Sequence, residues 1–551
     1  YGDHRDLHSF PTRRSSDLFS SPPTVTIDPP VAPGGTQATA EAQIYTDKTE
    51  VGLVQASASA GISFPAVWRT QTPGYTPDIL DGRPGGIPDP ATRGPAFVKI
   101  ANECGILPNP VVFPNIPVGF EQNKKNIVVL NVKEHTLWLA PAERADVVVD
   151  FSKFAGKTIL LYNDAPAALP AADARNDLYA CDADQTGAGG PASTLPGMGP
   201  NTRTVMQFRV AAAPVPAPPG VDSSAPADYY DPALVAALAD SATGMPAIFG
   251  ATQPTPVVPE AAYNSVGYAG GSTANTYAKI QDTSMTFIPY GQSTPVTMTF
   301  KPKCIQELFD DTGRLNATLG TEVPFANQAT QTTVPLYYVD PITEVFNDGE
   351  TQIWKLTHNG VDSHCVHFHL VNVQVINRVG WDGQVVPPED DEVGWKETVR
   401  MHPLQDIIFA TRAVSVPVPF GVMDSVRYLN PSQPPGSPIG FSNWDPLTGN
   451  NLATPTTNVL SNFNWAYIWH CHLLGHEEND MMRPMSLVVD SLVPAAPSLV
   501  VKASQTGPAT GSVALTWTDG TPFDYATGLP ATTPGNPANE VGFRVERAVP
   551  A

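Results

Sequence analysis

Positive charge is scarce in this chain: 31 Lys and Arg stand against 53 Asp and Glu, a formal net charge of −22. So acidic a surface repels polyanions, which excludes nonspecific nucleic-acid binding, and it favours solubility and the approach of cations. Cysteine is sparse too, five in 551 residues, which excludes a disulfide-dense scaffold. No apolar run reaches the length of roughly eighteen residues that a membrane-spanning helix needs. Histidine totals only eleven, and no His-x-His pair occurs between residues 19 and 357. Proline and glycine, by contrast, number 59 and 43 and are spread between short Val-, Thr- and Ile-rich runs. That punctuation predicts an all-β chain of short strands joined by turns, and the length allows about three or four domains.

Six of the eleven histidines fall in two short clusters. The run WHCHLLGHEENDM, residues 469–481, packs a thiol, three imidazoles and a thioether together. One Cys sulfur, two His nitrogens and a weak axial thioether make a blue-copper centre, since soft thiolate with imidazole selects copper over oxygen-loving cations. Cys471, His476 and Met481 supply three of those ligands. On a strand, neighbours point to opposite faces, so His470 and His472 face away from the metal that Cys471 holds, toward a second site wired to the first. Upstream, HCVHFHL at residues 364–370 spaces His364, His367 and His369 at positions zero, three and five.

This pair of motifs, His-x-x-His-x-His followed by His-Cys-His-x-x-x-His-x-x-x-x-Met, resembles the multicopper oxidases. The run HEENDMMRPM from His476 is especially similar to the bacterial laccases. Carried over position by position, the resemblance makes His364, Cys471, His476 and Met481 ligands of a type 1 copper. It assigns His367 to type 2 copper, and His369, His470 and His472 to a type 3 pair. The fold it implies is a set of cupredoxin-like Greek-key β-sandwich or barrel domains. The activity it implies is one-electron oxidation of phenols, aromatic amines or metal ions such as Mn(II) or Cu(I), coupled to four-electron reduction of dioxygen to water, in the periplasm or outside the cell. Cys471 carries electrons toward its neighbouring histidines, and Glu477 matches an acidic residue that assists protonation at the cluster. Met482 and Met485 read as core, and Asp362 is a weaker candidate for orienting an imidazole.

Taken in order, residues 1–18 resemble the translation of a sequencing adapter and are expected to lie outside the fold. Residues 19–210 read as a middle cupredoxin-like domain with an N-terminal insertion, in which Arg144 and Asp146 form a structural pair and His135 is a surface or capping residue. Residues 211–284 are a Pro/Ala/Gly-rich linker with one short helix, Asp231 capping it and Pro232 at its first position. The copper-binding cupredoxin domain spans 285–493, interrupted by a long loop, 420–457, expected to overhang the type 1 copper and shape a substrate site. Residues 494–551 resemble part of a fibronectin type III domain with Trp517 as the buried anchor. A module of that kind binds a surface or spaces the enzyme from one.

Two departures from the family stand out. Cys365 occupies a position where the family usually has proline, and is expected to be buried and inert. Cys104, Cys181, Cys304 and Cys365 leave room for one disulfide whose pairing the sequence does not choose. The family's three-copper cluster takes eight histidines, four from a first domain with two His-x-His motifs, and this chain carries the other four. A first domain is therefore expected to be missing, and the chain as it stands to be inactive in oxygen reduction. The competing class is a non-catalytic blue-copper carrier or copper-binding protein.

Overall fold

The structure is a computed structural model that describes, with short interruptions, residues 83–212 and 228–489, together with short strands within 14–54 and 498–530. Strands dominate, as the turn-punctuated sequence predicts. Two sheets face each other across residues 284–488. The larger runs Thr333–Leu336, Leu315–Glu322, Val296–Phe309, Thr351–His358, Gln405–Arg412, Asn372–Gly380 and Val385–Val386, with Ser284–Phe287 paired to Val296–Phe309. The smaller runs Glu344–Asn347, Met482–Val488, Trp465–Cys471, His364–Phe368 and Thr398–Met401.

Between them lies a core led by aromatics. Trp354 of the larger sheet meets Trp469 of the smaller edge-on at 5.2 Å between centroids, and Phe368 stacks on Trp469 at 6.1 Å. Cys365, Cys471, Met481 and Met485 belong to this same buried cluster, so the metal motif grows out of the inter-sheet core. Met485 is core as expected.

The preceding unit contains Phe97–Asn102, Gly105–Phe113 and Ala145–Val148 in one sheet, and Leu137–Leu139, Thr158–Asn163 and Thr204–Arg209 in another. Arg14–Ser20 sits between Leu137–Leu139 and Thr158–Asn163, pairing with both. The exclusion of everything up to residue 18 therefore does not hold for the backbone from Arg14 onward. Ladder hydrogen bonds use backbone groups that every residue but proline offers, so residue identity is a poor guide to who fills a sheet position.

The two units are joined through buried charge. Lys99 meets Asp391 at 2.7 Å, Lys396 meets Glu143 at 2.9 Å and Glu103 at 3.3 Å, and Arg400 meets Asp391 at 3.1 Å and Glu389 at 2.8 Å. Arg144 pairs across this junction with Glu397, not with Asp146. His135 is no surface cap either: its Nε2 lies 3.1 Å from Glu389, and its ring packs beside Trp138. In both cases a partner distant in sequence outcompetes the local one.

The linker reading of 211–284 needs a similar correction. The helix Pro232–Leu238 forms as expected, with the Asp231 carboxylate accepting from the Ala233 N–H and Pro at its start. A second helix, Met245–Thr252, buries Met245 and Phe249. Val257 and Val258 join the core of the copper-binding unit, their N–H groups donating to Gln374. Within this proline-rich stretch, apolar residues of 245–258 pack against the sheets.

Ser498–Ser504 and Ser512–Thr518 pair as an antiparallel ladder. Trp517 on it is 42 % exposed, so it is not the buried anchor expected. Cys104, Cys304, Cys365 and Cys471 form no disulfide, and Cys181 lies outside the described residues.

Candidate metal centre

The His364–Phe368 strand pairs antiparallel with Trp465–Cys471, placing Val366 opposite Cys471 and His367 opposite His470. Opposed residues point to the same face, so the register sends Cys471 and His364 one way and His367 and His470 the other. After Cys471 the chain turns through the one-turn helix Leu474–Glu477, which brings His476 back over Cys471. The loop is closed by two backbone bonds, Cys471 N–H to Met481 O and Met481 N–H to His476 O, each 3.0 Å.

Three donors converge. His364 Nδ1 lies 3.4 Å and His476 Nδ1 3.8 Å from Cys471 Sγ, with 3.1 Å between the two nitrogens. Bonds of roughly 2.0–2.3 Å radiating from one centre would leave donors at about such separations. Met481 is fully buried in the same cluster as Cys471. The donor set therefore fits a copper ion of the blue type.

Its electrostatics fit as well. Burial pushes the Cys471 thiol up, but a hydrogen bond from Cys365 and the charge of His364 outweigh it and hold the thiol well below its usual range. Burial likewise disfavours charge on His364, yet Cys471 and Glu307 hold that ring protonated up to about 10. The thiolate is thus ready to ligate, while His364 must release its proton as a metal binds. Cys365 is buried as expected but not inert, since it donates to the ligand sulfur.

On the opposite face four imidazoles meet. His367 lies 5.1 Å from His369, 5.5 Å from His470 and 5.5 Å from His472, between centroids, and His470 lies 5.1 Å from His472. His367, His369 and His470 turn ring nitrogens toward a common point. Burial and the neighbouring rings hold His367 down to about 4 and lower His369 and His470, which keeps these rings neutral and ready to ligate. Thr398 Oγ1 holds His367 Nδ1 at 2.9 Å, so Nε2 is the atom offered. Glu477 Oε2 stands 3.4 Å from His470 Nδ1, placing a carboxylate beside this pocket.

His358 is no substitute ligand: its Nδ1 accepts from the Gly360 N–H at 3.0 Å and its Nε2 is bonded to the Asp362 carbonyl. Asp362 thus contributes backbone to this corner. The carboxylate that touches a ligand imidazole is Glu307, 2.6 Å from His364 Nε2, and nothing in the sequence singled it out. Its one signal is an acidic residue in the strand Val296–Phe309, after the buried run Lys303 to Gln306. The 420–457 segment is partly structured, with Val426–Tyr428 paired to Leu460–Asn462. Arg427 from it reaches the Tyr338 hydroxyl at 3.0 Å, and Tyr338 N–H donates to Asp480, next to Met481, at 3.0 Å.

A thiol, two imidazoles and a buried thioether between two β-sheets form a donor set suited to a copper ion of the blue type. About 160 to 170 residues of the chain are similar in sequence to laccases and other multicopper oxidases, proteins whose cofactor is copper. It is 28 % identical over 161 residues to a laccase of Bacillus subtilis, covering 27 % of this chain and 22 % of that one. It is 31 % identical over 168 residues to a laccase of Haloferax volcanii, covering 30 % and 20 %. The chain thus spans about a fifth of the length of these curated relatives. A multicopper oxidase of Aquifex aeolicus overlays on 72 % of this chain and 50 % of its own at 16 % identity, with a TM-score of 0.32. No protein-family model matches.

Proposed function

We propose that the complete protein is a laccase-like multicopper oxidase. It would take electrons singly from phenols, aromatic amines or low-valent metal ions and deliver them to dioxygen, which is reduced to water. The observation that carries this reading is that the ligand Cys471 has His470 and His472 as covalent neighbours, and both rings sit in a four-imidazole pocket on the other face of the strand. Copper, when bound, supplies the one-electron redox couple and the affinity for oxygen.

The chain's own groups do the rest. Cys471 Sγ, His364 Nδ1 and His476 Nδ1 would hold the electron-entry metal, and the Met481 thioether, buried in the same cluster, would tune its potential. His367, His369, His470 and His472 supply half of the oxygen-side ligands. Glu477, beside His470, places a carboxylate where oxygen chemistry would take up protons. Residues 19–210 act as a spacer domain without copper, and 494–551 as part of a fibronectin type III-like module. Among the described residues no helix is long and apolar enough to cross a membrane, and we place the enzyme in the periplasm or outside the cell.

Copper loading tests the reading. The protein should develop the intense visible absorption of a Cu(II) thiolate, and Cys471→Ser should abolish it. A Cys471→Ser chain that remains blue would sink the assignment.

A further inference from the structure

Glu307 comes from the Val296–Phe309 strand of the larger sheet, 57 residues before His364, yet its side chain is only 2 % exposed and ends on that imidazole. Three contacts fix it there. Oε1 accepts from His364 Nε2 at 2.6 Å and from the Asp362 N–H at 3.2 Å, while Oε2 accepts from the Val361 N–H at 2.7 Å. The seat is shaped for it: a Cβ on Gly360 would overlap the carboxylate. His358 closes the site, its Nε2 3.9 Å from Oε1.

We propose that Glu307 is the positioning residue of the copper centre: it locks the His364 ring with Nδ1 turned to the metal and, by placing a full negative charge behind that ring, lowers the copper reduction potential. The physical argument is short. A carboxylate accepting from the far nitrogen of a ligating imidazole fixes its orientation and makes it a better donor. A buried negative charge on that line stabilises the more highly charged Cu(II) over Cu(I). The carboxylate is anchored to backbone N–H groups of the 360–362 turn as well as to the ring, so it cannot swing away when the metal binds. This is a tuning device reaching the copper from the opposite sheet, separate from the axial Met481.

The assignment rests on the copper reading above, and the test separates the two. Parent, Glu307→Gln and Gly360→Ala chains are loaded with copper, and the blue absorption is titrated with redox mediators. A parent that never turns blue overturns the copper reading itself. With a blue parent, Glu307→Gln is expected to shift the Cu(II)/Cu(I) affinity ratio about tenfold toward Cu(I), an upward shift of about 59 mV for one electron. Gly360→Ala displaces the carboxylate without changing net charge, and should shift the potential the same way. Should Glu307→Gln fold but bind copper about ten- to a hundredfold more weakly, the positioning role stands. Should it fail to fold, Gly360→Ala decides. Variants that keep the parent's band, copper affinity and potential overturn the proposal.

Discussion

The backbone N–H of Cys471 donates to the carbonyl of Met481 across 3.0 Å. The eleven residues 471–481, with His476 between, are thereby closed into a loop whose ends are the thiolate and the thioether. Such a closed loop holds its donors in place before any metal arrives, which lets a side chain change without rebuilding the site. Met481→Leu is therefore expected to keep the blue absorption and raise the copper potential, since an apolar residue withdraws the axial donor. Redox titration of the blue band checks the direction.

Cys365 tunes the same metal with the opposite sign. Its thiol donates to Cys471 Sγ and draws electron density from the ligand sulfur. Cys365→Ala removes that donor, so the thiolate becomes more basic, Cu(II) is favoured, and the potential should fall. The absorption band should shift in position while keeping its intensity. Cysteine and alanine differ by one buried sulfur, and the stability cost should be small, on the order of 1 kcal/mol. A potential that rises in this variant would show that the thiol acts by packing alone.

Arg400 is a structural keystone of the junction between the two β units. Its guanidinium donates to the Trp138 carbonyl at 2.9 Å, lies 2.8 Å from Glu389 and 3.1 Å from Asp391, and is almost fully buried. Its strand, Thr398–Met401, is hydrogen-bonded to the ligand strand His364–Phe368, with Arg400 opposite Cys365. Removing one member of a buried ion network leaves its partners charged and unpaired, which costs about 3–5 kcal/mol. Arg400→Leu should lower the urea midpoint accordingly. Far-UV and near-UV signals of both units should move together, because the charge left behind belongs to both.

These cases show which parts of the molecule are legible in sequence. The candidate donors Cys471, His476 and Met481 and the paired His470 and His472 follow from spacing, because a strand alternates faces and a short closed loop keeps its donors near in sequence; His364, 107 residues upstream, enters only through the resemblance. The all-β architecture follows from turn punctuation for the same local reason. Glu307 on His364, separated by 57 residues, and Lys99 on Asp391, separated by 292, leave no periodic trace. Each is a charged residue in a strand, and only the packing of two sheets or two units says what it faces. The same blindness explains Arg144, whose partner is Glu397 and not nearby Asp146, and residues 245–258, whose apolar side chains find a core that composition alone does not reveal.

Glu322 gives the fold a pH dependence of its own. It is mostly buried, and burial together with the nearby Asp406 raises its carboxyl from the ordinary 4.5 to about 7, against the opposing pull of Thr332 and Lys355. The folded chain thus holds a proton that the unfolded chain releases near 4.5. Between those two values the unfolded state binds fewer protons, so stability falls as pH rises from about 4.5 to about 7 and levels off above. The loss should be on the order of 2 kcal/mol after solvent screening. Glu322→Gln keeps the shape without the charge and should raise the melting temperature at pH 8 while leaving it nearly unchanged at pH 4. A gain equal at both values would place its origin elsewhere.

The chain as it stands should accept electrons and have nowhere to send them. His367, His369, His470 and His472 are four imidazoles, while the resemblance to the family calls for eight around the three oxygen-side metals. Among the described residues the remaining histidines do not fill the gap: His358 has both ring nitrogens engaged, His135 is bonded to Glu389, and His402 Nδ1 is 2.8 Å from Ser363 Oγ. With copper loaded, one equivalent of a phenolic reductant per chain should bleach the blue absorption, and the colour should return only slowly in air. Stopped-flow bleaching combined with an oxygen electrode reads both halves of this. Sustained, stoichiometric oxygen uptake would refute it and would mean that another chain supplies the missing ligands. Supplying a domain with two His-x-His motifs should restore turnover. In that restored protein His470→Ala or His472→Ala should remove oxygen uptake while leaving the blue band, because these rings lie on the face of the strand away from His364 and His476.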